Sequence, residues 1–324
     1  MVTTTTETMK AIQIHAFGGP EVLKLENVPR PEPGAGQVLV RVHAAGVNPA
    51  DWKLREGKFG QIHFPAIMGI DFSGDVEALG PNVTEFRVGE SVFGIVADES
   101  GSYAEYALAP LSQIVEKPAG LNHVQAAAIP VPAMTAWQAL FDEARLRAGQ
   151  KILIHAAAGG VGNFAVQFAR WKGAYVIGTA SGPNADLVRS LGAHEFIDYR
   201  TTRFEDVVHD ADVGFDTIGG DTQERSWKVL NRGGVLVSIV QPPSEQTAAA
   251  RGGRGIFMRQ DSKRNEELIQ IAKLVASGQI KVNVETVLPL TEARQAQELS
   301  QTGHAHGKIV LAVDAETLSA AGDA

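Results

Sequence analysis

The chain has 324 residues, 44% hydrophobic and 20% charged, which is ample material for one large or two ordinary globular domains. A formal net charge of −8, with acidic and basic residues scattered rather than blocked, argues against nucleic acid or an anionic membrane as the main partner. The absence of cysteine removes disulfides, thiolate nucleophiles and every cysteine-based zinc site, and fits a reducing, cytoplasmic compartment.

Residues 1–9 are threonine-rich, with neither a basic n-region nor an apolar h-region, and read as a disordered N-terminus. From Lys10 to about Ala109 the chain is strand-like and rich in turns. Val38–His43 alternates partly, as in a small barrel, and 74–77 and 90–96 are further candidate strands, punctuated by Gly80-Pro81-Asn82 and Gly89. The longest stretch free of Asp, Glu, Lys and Arg, Pro118 to Phe141, contains three prolines and several polar residues. It therefore reads as a domain junction and not a membrane span.

Beyond Met134 helices and strands alternate. Helices are expected over 136–143, 163–172, 184–191, 204–209 and 223–231, and strands over 151–155, 174–179, 195–198, 213–217 and 235–240. That rhythm demands a parallel sheet covered on both faces. The segment 241–255 has loop composition and reads either as a mobile lid or as an exposed flexible loop. An amphipathic helix over 266–277 and a strand over 308–313 close the chain, the strand returning to the first domain. The expected division is 10–130 with 268–324, and 131–267.

The most informative stretch is Lys151 to Ala165, KILIHAAAGGVGNFA. A short branched apolar strand is followed by Gly160-Val161-Gly162-Asn163-Phe164-Ala165, which fits G-x-G-x-x-A, and then by helical apolar spacing. In that pattern the first glycine permits the tight turn, the second lets backbone approach a pyrophosphate, and the small last residue lets helix pack on strand. The helix start adds unpaired N–H groups and partial positive charge. Gly159, Gly160, Val161 and Gly162 are expected around the pyrophosphate of a dinucleotide. The second strand ends in Ala180-Ser181-Gly182-Pro183-Asn184, without the acidic residue that takes the ribose hydroxyls of NAD about 20 positions after the first glycine. Ser181 and Asn184 are able to donate hydrogen bonds to a 2′-phosphate, which favours NADPH; they are also ordinary turn residues.

Taken together the residues resemble the zinc-independent, quinone-oxidoreductase-like branch of the medium-chain dehydrogenase/reductases, which includes zeta-crystallin. The resemblance spans about Lys10 to Val313. It is carried by Ala45-Gly46-Val47-Asn48-Pro49-Ala50-Asp51, Gly69-Ile70-Asp71-Phe72-Ser73-Gly74, Met134-Thr135-Ala136, Ala156–Gly162, Leu191-Gly192-Ala193, Asp216–Gly220 and Gly307–Leu311. It implies an α/β fold, a Rossmann doubly wound parallel sheet plus a GroES-like β-barrel catalytic domain, with the active site in the cleft between them. It also implies NADPH and a homodimer joined through the last Rossmann strand. Zinc-dependent relatives carry cysteine near the place of Asn48 and Gly-His-Glu where this chain has Gly69-Ile70-Asp71. Without those ligands, and with His304 and His306 only two apart in a loop and no helical H-x-x-x-H pair, no catalytic metal is expected.

Within the resemblance, Asn48 corresponds to an asparagine near the nicotinamide, although it also suits the turn before Pro49. Asp51 is expected to hold the loop by accepting backbone N–H groups. Lys53 stands where many quinone reductases have tyrosine, and it resembles the enone and alkenal reductase subgroup. An ammonium there would stabilise a developing oxyanion, unless it is simply a solvated surface lysine. Thr135 corresponds to a threonine at the nicotinamide end, Tyr199 to a tyrosine approaching the 2′-phosphate, and Lys308 to a strand residue reaching the cofactor or merely solvating its strand. Asn184 falls where relatives often have lysine, which weakens the preference over NADH. Lacking a metal, hydride delivery to a small-molecule quinone or α,β-unsaturated carbonyl (enone) is the expected reaction, since the acceptor's conjugation spreads the developing charge. Phe59, Phe64 and the 241–257 segment are expected to set the cleft size. The competing reading is a non-catalytic, crystallin-like protein that retains NADPH.

Overall fold

The computed structural model describes residues 7–261 and 265–322. Of these, residues within Met1–Val131, Ser262–Ala276 and Val282–Ala324 form one compact unit, and those within Pro132–Asp261 and Ser277–Lys281 form a second. Among the described residues no helix is long and apolar enough to cross a membrane.

The first unit is built on a seven-stranded sheet whose longest member is Gln37–Val47. Val38, Val40 and Val42 alternate into a core with Phe72, Val76 and Val92, as the period-two pattern requires. Lys308–Ala312 pairs antiparallel with Gln37–Val47, Ile309 standing opposite Val47, so the end of the chain completes the sheet. A three-stranded sheet begins at Thr8–Ile14. Thr8 and Met9 are thus paired strand residues, not disordered ones: Met9 is buried and stands opposite Val28. Residues 1–6 lie outside the described residues. Among the elements that escaped the sequence reading are the strand Val284–Pro289, beside Lys308–Ala312, and the helix Ala293–Gln301, whose pattern is polar on all but one narrow face.

The second unit is a six-stranded, all-parallel sheet. Its spatial order is Glu195–Asp198, Tyr175–Ala180, Lys151–Ile154, Ala211–Asp216, Leu230–Ser238, Arg254–Phe257. Numbered along the chain that order is 3-2-1-4-5-6, the Rossmann arrangement, and its direction reverses beside Lys151–Ile154. Ile152, Leu153 and Ile154 are wholly buried, as expected of a strand covered on both faces.

The segment read as a loop over 241–255 instead contains the helix Glu245–Ala250 and the first half of the sixth strand, Arg254–Phe257. The cause is local. The Ser244 hydroxyl accepts from the Thr247 N–H at 3.2 Å, capping a helix that ends in three alanines. The helix expected over 223–231 is Gly220–Ser226, because the fifth strand already begins at Leu230. That over 204–209 shrinks to a single 3-10 turn, Phe204–Asp206.

Candidate active site

In the first unit the functional loop follows directly from the strand Gln37–Val47. Asn48 is extended and precedes the helix Pro49–Arg55, in which proline occupies the first position that needs no donated N–H. Its backbone N–H donates to the Asp51 carboxylate at 2.8 Å, and the Tyr103 hydroxyl donates to the same oxygen at 2.9 Å. Only glycine suits position 69, where φ is +95° and a Cβ would stand 2.2 Å from the Tyr103 ring. The buried face of the helix carries Asp51 and Arg55, four residues apart. Arg55 is completely enclosed and donates to the Gly18 carbonyl and to the Gln297 and Gln301 side chains.

Asn48 is the hub of a buried polar network. Its Nδ2 donates to Asp71 at 2.9 Å, and its Oδ1 accepts from the Lys308 ammonium at 2.6 Å. Lys308 also donates to the Val47 carbonyl at 2.9 Å and stands 3.7 Å from Asp71. The other Asp71 oxygen accepts from the Val131 N–H. A carboxylate on one side and an ammonium on the other leave the Asn48 amide only one orientation. Burial pushes the Asp51 carboxyl up to about 7 and the Asp71 carboxyl to about 6, while it draws the Lys308 ammonium down and lifts the Tyr103 phenol.

The structure therefore brings Asn48 and Lys308 together and shows Asp71 and Tyr103 as partners that the sequence reading missed. Lys308, expected to reach a cofactor, is buried and commits its ammonium to Val47, Asn48 and Asp71. Lys53 is half-buried on another face of the helix from Asp51 and Arg55, its Nζ 5.5 Å from the centre of the Trp52 ring. Phe59 and Phe64 are exposed, and Phe64 meets Phe17 edge to face.

In the second unit the strand Lys151–Ile154 leads through Ala156, at φ +46°, into the helix Gly160–Trp171. Gly159 is the N-cap and offers no side-chain oxygen to the first turn. The leading N–H groups, at Gly160, Val161 and Gly162, thus have no intrahelical acceptor and remain available to an anion. A Cβ at Gly162 would stand 2.1 Å from the Ala156 carbonyl oxygen, so the close approach of turn and helix requires glycine. This cradle fits a dinucleotide pyrophosphate.

At the tip of the second strand, Ser181 and Asn184 are buried and bonded to each other, the Asn184 amide donating to the Ser181 hydroxyl at 2.8 Å. Ser181 keeps its own proton for another acceptor. No carboxylate stands in the tip Ala180-Ser181-Gly182-Pro183-Asn184, but one reaches it through space. The parallel register sets Asp198 opposite Ala180, and its Oδ2 lies 2.6 Å from where a Gly182 Cβ would be. The same register brings the exposed Tyr199 beside the tip, its N–H donating to the Ala180 carbonyl, with Arg200 following and its guanidinium 5.9 Å from the Tyr199 ring. Neither Asp198 nor Arg200 was singled out from sequence. Pairing the second and third expected strands in register would have found both.

Two polar groups shape the floor of this end of the sheet. Asp216 accepts from the Ile218 and Gly219 N–H groups and from Gln223 and Ser238, which fixes the turn after the fourth strand. His155 is buried between Thr179 and Ser226. Because the Ser226 hydroxyl donates to the Thr222 carbonyl, His155 donates through Nε2 to Ser226 and accepts from Thr179 at Nδ1. Burial drives its pKa down to about 4, so the ring is neutral. Thr135, nearly buried, donates its hydroxyl to Gln260 at 3.0 Å.

Comparison with known proteins places these features in a family context. Residues 34–119 match the alcohol dehydrogenase GroES-like domain, and residues 191–311 match a family described as zinc-binding dehydrogenase. The quinone oxidoreductase of Mus musculus is 38% identical over 311 residues, covering 90% of this chain and 93% of its own length. The solved quinone oxidoreductase of Coxiella burnetii superposes with a TM-score of 0.89 at 36% identity, over 95% of this chain and all of that one. A mycobacterial protein solved in complex with NADPH gives 0.85 at 29% identity, over 94% of this chain and 100% of its own.

Proposed function

The chain belongs to the quinone oxidoreductase family of the medium-chain dehydrogenase/reductases, and we propose that it is an NADPH-dependent, zinc-independent oxidoreductase that delivers hydride to quinones or α,β-unsaturated carbonyls. The observation that carries this reading is the uncapped helix start at Gly159–Gly162, on the first strand of a 3-2-1-4-5-6 sheet, where Gly162 leaves no room for a side chain. Gly159, Gly160, Val161 and Gly162 hold the pyrophosphate. Ser181, Asn184 and Tyr199 line the adenosine ribose, and the Arg200 guanidinium answers a 2′-phosphate, against the opposing charge of Asp198. Thr135 stands at the nicotinamide end. When bound, the nicotinamide supplies the hydride.

Zinc independence rests on the donor chemistry. Where zinc-dependent relatives present cysteine and Gly-His-Glu, this chain has the Asn48 region and Gly69-Ile70-Asp71: the histidine's place is taken by an isoleucine, and the Asn48 amide and Asp71 carboxylate are already committed to each other, with the Lys308 ammonium as the cation among them. Asn48, held in one orientation, positions the start of the helix that carries Lys53. The Lys53 ammonium then stabilises negative charge on the acceptor oxygen as hydride arrives. A neutral conjugated acceptor suits this arrangement, because it needs orientation and one positive charge rather than a Lewis acid. Assembly as a homodimer through the edge strand Arg254–Phe257, which among the described residues pairs on one side only, belongs to the same reading.

NADPH oxidation measured across a panel of quinones, enals and enones tests it. Turnover with either acceptor class supports the proposal. Tight NADPH binding without turnover on any of them would favour a non-catalytic, crystallin-like binder.

A further inference from the structure

A second group of chemistry-bearing side chains lies in the first unit, away from Asn48. His43 belongs to the strand Gln37–Val47, Asp75 to Asp71–Leu79, and His123 opens the helix His123–Ala127. The register explains why they converge. Val42 stands opposite Gly74 and Ala44 opposite Ser73, so His43 is the extra residue of a bulge, a device that re-aims a side chain. His43 Nε2 comes 3.0 Å from one Asp75 oxygen, and His123 Nε2 lies 3.8 Å from the other. One ligand atom from each of the three residues lies within 4.8 Å of the others.

The far nitrogens of both rings are already assigned by their partners. His43 Nδ1 stands 2.6 Å from the Asp314 carboxylate, which only accepts, so Nδ1 carries a proton. The Ser73 hydroxyl donates to the Val92 carbonyl and therefore accepts from His123 Nδ1 at 2.9 Å. Both rings thus turn Nε2 toward Asp75. His43 Nε2 faces one Asp75 oxygen, and His123 Nε2 turns its lone pair toward the other, which also accepts from the Ser91 hydroxyl at 2.7 Å. A cation bound to all three would satisfy every group at once.

We propose that His43, Asp75 and His123 form a binding site for a divalent transition-metal ion of the zinc class, held by two Nε2 atoms and one carboxylate. Tetrahedral zinc with bonds of about 2.0–2.1 Å needs ligand atoms ~3.3 Å apart; the two Nε2 atoms stand 3.0 and 3.8 Å from the two Asp75 oxygens, and one atom of each residue lies within 4.8 Å of the others, so small side-chain turns close the set around an ion. Imidazole nitrogen with one carboxylate selects zinc, cobalt or nickel over magnesium or calcium. The carboxylate behind His43 and the hydroxyl behind His123 are the outer partners that fix ligating rings. A surface groove lined by Arg41, His43, Glu105, Tyr106 and Asp314 reaches the His43 side of the cluster. Arg41, exposed and 3.6 Å from Asp75, is the cation that metal binding displaces. The ion would tie two strands to the helix His123–Ala127; its place is structural, and it takes no part in the proposed hydride transfer.

The test is titration of the chelator-stripped full chain with Co²⁺, followed by absorption. The expected result is the visible band of four- or five-coordinate cobalt, saturating at one equivalent, abolished by competing Zn²⁺, and accompanied by a rise in Tm. His123→Ala and Asp75→Asn each weaken binding at least ~100-fold, whereas the double variant His304→Ala/His306→Ala keeps it. Only the weak spectrum of hexa-aqua cobalt in the wild-type chain, or a band that survives in both single variants, overturns the proposal. Should the variants not fold, an anomalous-difference map of Zn²⁺-soaked wild-type crystals decides. A peak at bonding distance from both Nε2 atoms supports the site; its absence there overturns it.

Discussion

Lys308 and Asn48, 260 residues apart in the chain, meet at 2.6 Å with the ammonium donating to the amide oxygen. The contact follows from strand pairing, since Ile309 opposite Val47 sets the adjacent Lys308 beside the first residue beyond that strand. The last sheet strand thereby holds the loop that starts the helix carrying Lys53. Asp71 completes the arrangement, so one buried carboxylate, one amide and one ammonium satisfy each other.

Removing one member leaves an uncompensated buried charge. Lys308→Met is expected to destabilise the fold by about 3–5 kcal/mol, because Asp71 then has no cation while remaining wholly buried. Adding Asp71→Asn should recover part of that loss, as the remaining pair is neutral. Urea unfolding of the wild type, both single variants and the double variant measures the coupling. Additive losses would mean the two groups do not interact.

The nucleotide tip holds opposing charges. Asp198 presses on the Gly182 turn, and Arg200 follows it on the same strand end. Asp198→Ser should raise the NADPH-to-NADH ratio of kcat/KM roughly tenfold, the effect of about 1.4 kcal/mol of relieved repulsion against a 2′-phosphate. Arg200→Ala should lower that ratio by a similar factor, with NADH kinetics little changed. Steady-state kinetics with both nucleotides decides. A ratio unmoved by either change would place the 2′-phosphate elsewhere.

Residues close in sequence were legible from sequence, and residues brought together by register were not. The turn at Gly160–Ala165 announces itself because strand, glycines and helix follow one another within a few residues. Asp198 beside Gly182, Lys308 beside Asn48 and His43 beside Asp75 depend on which strands pair and where a bulge falls. A search for histidine ligands at helical spacing also passes over a pair contributed by a strand and a separate helix. The sixth parallel strand hid behind prolines and glycines whose composition suggests a loop, although Ser244 and three alanines mark the helix that precedes it.

His155 makes stability depend on pH. Its folded pKa, about 4, lies below the 6.5 of a free imidazole, so between those values the unfolded chain binds the proton and the folded one does not. Its contribution is therefore present above pH 6.5 and is lost as pH falls toward 4. The full loss is about 3 kcal/mol, taking ~1.4 kcal/mol per unit. His155→Gln, which keeps one donor and one acceptor, should flatten this part of the profile whatever its effect at pH 8. Chemical denaturation of both proteins at intervals from pH 8 to 4 checks it, and parallel curves would assign the acid sensitivity to other groups.

Lys53 carries the sharpest expectation for chemistry. It stands on the helix that Asn48 begins, away from the buried Asp51 and Arg55, and its ammonium rests near the Trp52 ring instead of in the Asn48 network. A charge that acts only as the acceptor oxygen becomes negative affects turnover and leaves nucleotide binding alone. Lys53→Ala should therefore lower kcat on enones about 10²–10³-fold, with the NADPH Kd changed less than ~2-fold. Lys53→Arg, which restores positive charge in a different geometry, should recover part of the rate. Stopped-flow hydride transfer together with fluorescence titration of NADPH separates the two quantities. Equal turnover of wild type and Lys53→Ala would remove this lysine from the reaction and leave orientation alone to account for the rate.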